Sequence, residues 1–317
     1  MEVAPSFPAD CLRERSDTPL SWFGYRLRPT SSLDNRHPNP TAIMLIKVDC
    51  EIALAFQEPA AVILMLRVRP KNDQRVFNER LEVEPPVAIT DYIDVYGNRC
   101  ARVFVPAGRS VFRHEAVVVD SGHADPQVWG AHHHPVQNLP DGVLLFLLPS
   151  RYCEVDSELK ESAWAMFGHG PAGWPLVRAV CDFVHRHIRF DYMQARANRT
   201  ALDVYRERVG VCRDYTHLAI TLCRCLNVPA RYCTGYLGDL GVPPDPADMD
   251  FSAWFEVFLG GEWHAFDARH NVPRIGRVPV AVGRDAADVA LTTAFGINQL
   301  VSFHVGTVEL TTAPQVN

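Results

Sequence analysis

The sequence predicts an α+β chain in two parts, an all-β first part built as a sandwich and a second part in which helices precede antiparallel strands. Three observations carry this. Short segments rich in Val, Ile, Leu and aromatic residues follow one another between residues 43 and 119, separated by turn signals and uninterrupted by any long helical pattern. Between residues 120 and 142 the composition shifts to Gly, Pro, Asp and His. Beyond that stretch, apolar residues recur every three or four positions, the helical period, before the chain returns to strands.

The first part is expected over residues 41–120, after an irregular tail (1–40) in which Pro29, Ser31, Asn35, Pro38 and Pro40 show no period. Strands are expected at 43–56, 60–68, 77–83, 87–95, 99–104 and 111–119, with Tyr96-Gly97-Asn98 the clearest turn between two of them. Without periodic glycines suited to barrel closure, a β-sandwich is the simpler architecture. Residues 121–142, with Pro126, Pro135 and Pro140, read as a linker. Its His132-His133-His134 run reads as an exposed loop, because adjacent residues of an extended chain point different ways and no companion ligand cluster is visible.

Residues 143–317 form the second part. A helix capped at 155–157 runs through Trp164 and Phe167 and closes at Gly168, and a second carries Leu176, Val180, Val184 and His187 on one side. A short helix follows at 200–206. The next begins at Val211 or Cys212, points Leu218, Ile220, Leu222 and Leu226 inward, and stops before Asn227-Val228-Pro229. Strands are expected at 230–237, 252–259, 262–267 and 300–310, the middle pair joined by a hairpin at Gly260-Gly261.

Composition narrows the function classes. Hydrophobic residues make up 47% of the 317 and charged residues 21%, the profile of a packed chain. A net charge of -6, with the basic run at 67–80 broken by Asn72, Asp73 and Glu79, argues against a nucleic-acid partner. The longest apolar runs, 60–66 and 143–148, fall far short of the ~20 residues that span a bilayer. Residues 1–30 lack the apolar core of a secretory signal, and the nine cysteines are odd in number and irregularly spaced, which suggests a reducing compartment. These points favour a cytoplasmic protein without a membrane partner. The sequence carries no signal for an oligomeric state.

Cys212 stands out by position. At the first turn of a helix the aligned amide dipoles favour thiolate, so its pKa is expected below the ordinary ~8.5. Gly210 would let the chain turn tightly and bring backbone N–H groups toward a reacting carbonyl. The plainer alternative is a buried structural cysteine, like Cys181, Cys223 or Cys225.

The surrounding segments carry a family resemblance. Gly210-Val211-Cys212-Arg213-Asp214-Tyr215-Thr216-His217-Leu218 is followed by Leu226-Asn227-Val228-Pro229-Ala230-Arg231-Tyr232-Cys233-Thr234-Gly235-Tyr236, by Ala253-Trp254-Phe255-Glu256-Val257, and by Trp263-His264-Ala265-Phe266-Asp267. In content and order these segments resemble the core of the bacterial transglutaminase-like proteins. The resemblance covers roughly residues 182–270, and the strand-rich first part is similar to the β domain that often precedes this core. It implies a transglutaminase-like, papain-like cysteine-protease fold for the second part. It also implies that Cys212 attacks a peptide or carboxamide carbonyl to form a thioester and that Asp267 orients an imidazole. No cofactor or metal is implied, the acyl donor is a peptide, a protein or a small amide, and the acceptor is water or an amine, with hydrolysis slightly favoured.

The pattern breaks at one position. Where the family carries its histidine, directly before the Ala-Trp pair, this chain has Ser252, whose hydroxyl cannot take a thiol proton near neutral pH. His270, three residues after Asp267 where a turn could return it over the cysteine, is the first candidate for a replacement base. His264 is expected on the opposite strand face from Asp267, His217 lies about 140° around the helix from Cys212, and His185 has no predicted position. Two functions follow: a cysteine amidase or peptidase using His270, or an inert binding or scaffold protein that kept the cleft. A third use, assembly through edge strands of the first part, rests on general strand physics. The acidic segment 238–250 would favour basic or amine-bearing substrates; its aspartates lack the order of a calcium loop.

Overall fold

A computed structural model describes residues 43–71, 74–245 and 249–310. The expected tail, Asn72, Asp73 and Asp248 lie outside the described residues. The first part contains β1 (Met44–Phe56), β2 (Ala60–Leu64), β3 (Arg75–Glu84), β4 (Thr90–Ile93), β5 (Arg99–Val105) and β6 (Gly108–Asp120). The second contains the helices α1 (Asp141–Leu144), α2 (Leu159–Phe167), α3 (Trp174–His187), α4 (Ala201–Glu207) and α5 (Cys212–Cys225). A short strand β7 (Arg189–Phe190) precedes α4, and β8 (Val209–Gly210) leads into α5. The strands β9 (Ala230–Tyr236), β10 (Ser252–Leu259), β11 (Glu262–Phe266), β12 (Val278–Gly283), β13 (Thr292–Phe295) and β14 (Asn298–Leu310) complete the described chain. This is the expected α+β architecture, a β-sandwich joined to a helix-and-sheet core.

The sandwich consists of sheets ordered β14-β1-β6-β3 and β13-β2-β5-β4, and the core sheet is ordered β11-β10-β9-β12. Along β1 the buried Ile46, Val48, Cys50 and Ile52 alternate with more exposed residues, so one face packs inward and the other meets solvent. One apolar cluster runs from Ile46, Val62 and Phe112 of the sandwich into Trp174, Leu218 and Phe255 of the core.

The strand expected at 300–310 forms, but not in the sheet of the second part. β14 lies antiparallel along β1, from Leu45 opposite Leu310 to Phe56 opposite Asn298, and β13 pairs with β2. Length supplies a physical reason: β14 and β1 each have 13 residues, whereas β9, β10 and β11 have 7, 8 and 5. β6 is as long but is paired on both sides, by β1 and β3, so β1 offers the free core-lined edge that satisfies the backbone of so long a strand. The unanticipated β12 takes the free side of β9 instead.

Helix α5 also differs from the one-sided helix read from the sequence. From Asp214 to Cys225 every residue is buried, because α5 packs on β9 and β10 and is flanked by α2, α3 and α4. Its polar residues are satisfied locally: the Thr216 and Thr221 hydroxyls donate to the carbonyls of Cys212 (3.0 Å) and His217 (2.8 Å). Arg224 donates to the carbonyls of Ala230, Leu148 and Arg284. A helix this enclosed tolerates polar residues only when they are paired in this way.

Candidate active site

The chain enters the site through β8, which pairs in parallel with β7 so that Phe190 lies opposite Gly210. Cys212 then opens α5. The side chain of Asp214 bends back to accept the Val211 N–H at 2.9 Å and caps the helix from within its first turn. This contact explains Gly210: a Cβ there would lie 2.6 Å from Cβ of Asp214. Gly210 therefore makes room for the returning carboxylate, whereas the sequence suggested a need for a tight turn. Asp214 and Arg199, both buried, pair at 3.0 Å, and Arg199 also reaches Glu207 at 3.1 Å. Burial raises the Asp214 carboxyl, and the Val211 N–H, Arg213 and Arg199 oppose that rise.

Among the eight described free cysteines, Cys212 alone is not buried. Its thiol is nevertheless pushed up to about 11, first by loss of solvation and then by the Asp250 carboxylate. Arg269 and the backbone N–H groups of Ala253 and Arg213 pull the other way without prevailing. The expected lowering is thus overturned. At ~1.4 kcal/mol per pH unit the rise opposes thiolate by a few kcal/mol, more than the ~0.3–1 kcal/mol a helix terminus typically supplies. Asp250 is exposed at its surface, yet its own carboxyl is raised by desolvation, as befits a group on the rim of the cleft.

A direct expectation concerns labelling. Cys212 should alkylate with iodoacetamide before the buried cysteines because it alone among the described cysteines is accessible, but slowly at pH 7. The rate should climb about tenfold per pH unit toward pH 10, and Asp250→Asn should accelerate it. A rate already at its plateau by pH 8, read by peptide mass spectrometry, would contradict a neutral thiol.

Asp267 follows β11 directly and terminates it. One carboxylate oxygen accepts the N–H groups of Arg269 and His270, each at 3.0 Å, which turns the chain back on itself. The other meets Nδ1 of His270 at 2.8 Å and Nη2 of Arg277 at 3.1 Å. Burial alone would raise this carboxyl, but Arg277 and then His270 overcome it and hold it well below the usual range. The Asp267 side chain is 2% exposed and that of His270 is 24% exposed, so the imidazole is reachable while its carboxylate is dry.

The structure therefore joins Asp267 to His270. Among the described residues no hydrogen bond links the Cys212 sulfur to any imidazole, nor Ser252 to Cys212, Asp267 or His270. Ser252 opens β10, buried opposite Gly235, with its carbonyl accepting from the Thr234 hydroxyl at 3.3 Å. Ala253, the next residue, supplies the N–H that reaches the thiol. The other histidines have separate partners. His264 donates to the Leu259 carbonyl at 3.1 Å and sits edge-on to Trp174. His217 accepts the Ala286 N–H at 3.2 Å, stacks on Tyr152, and is held neutral by burial. Nδ1 of His185 donates to the carbonyls of Ala268 and Arg269 at 3.2 and 2.8 Å, fixing the turn that carries His270. His133 of the histidine run donates to the Asn227 carbonyl at 2.8 Å. Arg277, Asp125 and Arg269, which complete this neighbourhood, carried no recognisable signal in the sequence.

The model of the Transglutaminase-like superfamily matches residues 168–268, which contain Cys212, Ser252 and Asp267. A crystal structure of a candidate cysteine protease from Cytophaga hutchinsonii is 32% identical, with a TM-score of 0.74 over 86% of this chain and 93% of that one. The chain belongs to the transglutaminase-like superfamily. The likeness to the Cytophaga protein takes in the β-rich part as well as the core of this transglutaminase-like protein. Uncharacterized protein ML0607 of Mycobacterium leprae (strain TN) is 31% identical over 107 residues, a stretch that covers 32% of this chain and 38% of that relative. Among the described residues no helix is long and apolar enough to cross a membrane.

Proposed function

We propose that this transglutaminase-like protein hydrolyses or exchanges an amide bond through Cys212, with His270 as base and Asp267 as the group that orients it. The single observation that supports this most is the Asp267–His270 pair: a buried carboxylate at 2.8 Å fixes the imidazole by Nδ1, and Nε2 makes no hydrogen bond to any described residue. In the reaction, Nε2 takes the thiol proton as sulfur bonds to the substrate carbonyl carbon, and the carbonyl electron pair moves to oxygen. Collapse of that adduct breaks the C–N bond, and the same proton goes to the departing amine. Water then adds to the thioester with His270 as base, releasing acid and restoring the thiol; an amine in place of water gives exchange. The Ala253 N–H faces the thiol and suits the developing oxyanion. A reducing, cytoplasmic setting fits the eight described free cysteines and belongs to this proposal.

The raised thiol pKa and the lack of a thiol–imidazole hydrogen bond among the described residues favour a second reading, an inert binding or scaffold protein. Incubation with a panel of activated esters and peptide anilides, quenched in acid and read by intact mass, separates the two. The catalytic reading expects an acyl adduct on Cys212, absent from Cys212→Ala, and release of acid or, with added amine, of amide. No adduct with any member of the panel supports the inert protein.

A further inference from the structure

Arg269 offers the cleft a guanidinium that forms no ion pair with any described residue, although the Asp250 carboxylate lies within its field. Its side chain donates no hydrogen bond among the described residues either, yet Arg269 is held firmly. Its backbone N–H is bound by Asp267 at 3.0 Å, and its carbonyl by Nδ1 of His185 at 2.8 Å. Its guanidinium carbon lies 4.0 Å from the centroid of the Phe190 ring. Phe190 is the β7 residue opposite Gly210, and the Asp191 N–H donates to the Gly210 carbonyl at 3.0 Å. This carries the stacked guanidinium over the strand that delivers Cys212, within electrostatic reach of the thiol. A planar cation stacked on an aromatic ring, with both backbone groups tied down, is organised before any ligand arrives, and its donor fork matches a carboxylate.

Two other polar groups share the mouth. The Tyr192 phenol is 44% exposed, and its ring packs against Phe190 with centroids 4.8 Å apart. Asp250 bears the opposite charge and forms no ion pair with Arg269 or any other described residue; its side chain accepts the N–H of Phe251. An anion placed directly at the sulfur would be repelled by Asp250, while one displaced toward Phe190 would meet Arg269.

We propose that Arg269 receives a carboxylate of the acyl donor, so that the substrate class is an amide or peptide bearing an acidic group a few atoms from the carbonyl that Cys212 attacks. This rests on the reading of the Cys212 cleft as the substrate site, and it leaves the acceptor unrestricted. Asp250 then sets the position of the acidic group by keeping it away from the thiol.

Protection of Cys212 tests the assignment without requiring turnover. The full chain is alkylated with iodoacetamide at pH 8.5 with glutarate or with neutral glutaramide, at ionic strength held constant with sodium chloride, and the Cys212 peptide is quantified by mass spectrometry. Glutarate is expected to slow labelling saturably while glutaramide does not. Arg269→Gln should raise the half-protecting concentration about fivefold, the effect of one nearby charge in a partly hydrated site. Arg269→Lys should retain part of the protection, and Asp250→Asn should strengthen it. Equal protection by both compounds, none by either, or protection unchanged in Arg269→Gln overturns the proposal. If Arg269→Gln fails to melt like the parent, Asp250→Asn decides: a weaker or unchanged effect of glutarate in that variant also overturns it. Loss of catalysis is read separately, from the acyl adduct on Cys212, so a protein that binds glutarate and forms no adduct refutes the chemistry and leaves the carboxylate site standing.

Discussion

His270→Ala is expected to lower acyl-enzyme formation by about 10²- to 10⁴-fold, the usual worth of one aligned acid–base group. The surroundings push the thiol up, so attack at pH 7 needs a proton acceptor, and the proposal assigns that part to the imidazole of His270, which Asp267 already holds by Nδ1. Substrate binding should change little, because the replacement removes a proton carrier rather than a contact with the acyl group. The dependence on pH gives a second signature. With His270 present the rate should depend less steeply on pH than in His270→Ala, where it should keep rising toward the thiol pKa of about 11. Ser252→His provides the counterpart. In the parent it should add little, since a base is already present. In His270→Ala it should restore much of the loss, because Ser252 lies directly before the residue whose N–H faces the thiol. If Ser252→His alone creates activity in a parent that has none, the protein lost its base and His270 is only a brace for Asp267.

How much of this could be read from the sequence depended on how local the physics is. The helix from Cys212, the strands at β9, β10 and β11, and the turn at Gly260-Gly261 follow from apolar period and turn residues within a few positions. The turn after Asp267 was legible from His270 lying three residues on, but the sequence pointed that imidazole toward the cysteine, whereas the contact in the structure is with Asp267 itself, whose carboxylate also accepts the N–H groups of Arg269 and His270. The state of the thiol was not. The helix terminus is local and visible, but the burial that outweighs it comes from tertiary packing, and Asp250 is 38 positions away along the chain. Gly210 reads locally as a residue for a tight turn, while the close approach it leaves room for, the returning side chain of Asp214, exists only once α5 is capped. The position of β14 depends on matching its length and apolar face to β1, more than 240 residues earlier, and no local pattern encodes that pairing. Arg277, in a segment without period, gave no sign that it would hold Asp267.

Arg277→Met is expected to destabilise the fold by about 3–5 kcal/mol at pH 7, the cost of stripping a buried charge of its partner. The guanidinium is 1% exposed and bridges two carboxylates, with Nε 2.7 Å from Asp125 and Nη2 3.1 Å from Asp267. Methionine preserves most of the stem that packs toward Trp254, where the guanidinium carbon lies 5.2 Å from the ring centroid. The loss should therefore come from the two uncovered carboxylates rather than from a cavity. The sign of the pH dependence follows from Asp267. In the parent its folded pKa is depressed, so it contributes stability above the unfolded value of ~3.9, which is lost as pH falls through the folded value. Without Arg277, the strongest group opposing burial is gone, and the carboxyl shifts upward. The deficit of the variant is then fullest at neutral pH and shrinks toward pH 4, where a protonated Asp267 no longer needs a cation. Urea unfolding of parent and variant at pH 7 and pH 4.5 should show the difference narrowing with acidity. Arg277→Lys, which restores charge without the planar fork, should fall between them. A deficit below 1 kcal/mol at pH 7, or one that widens on acidification, would mean that Asp267 is held by His270 and its backbone donors alone, and that Arg277 serves only to pin Asp125.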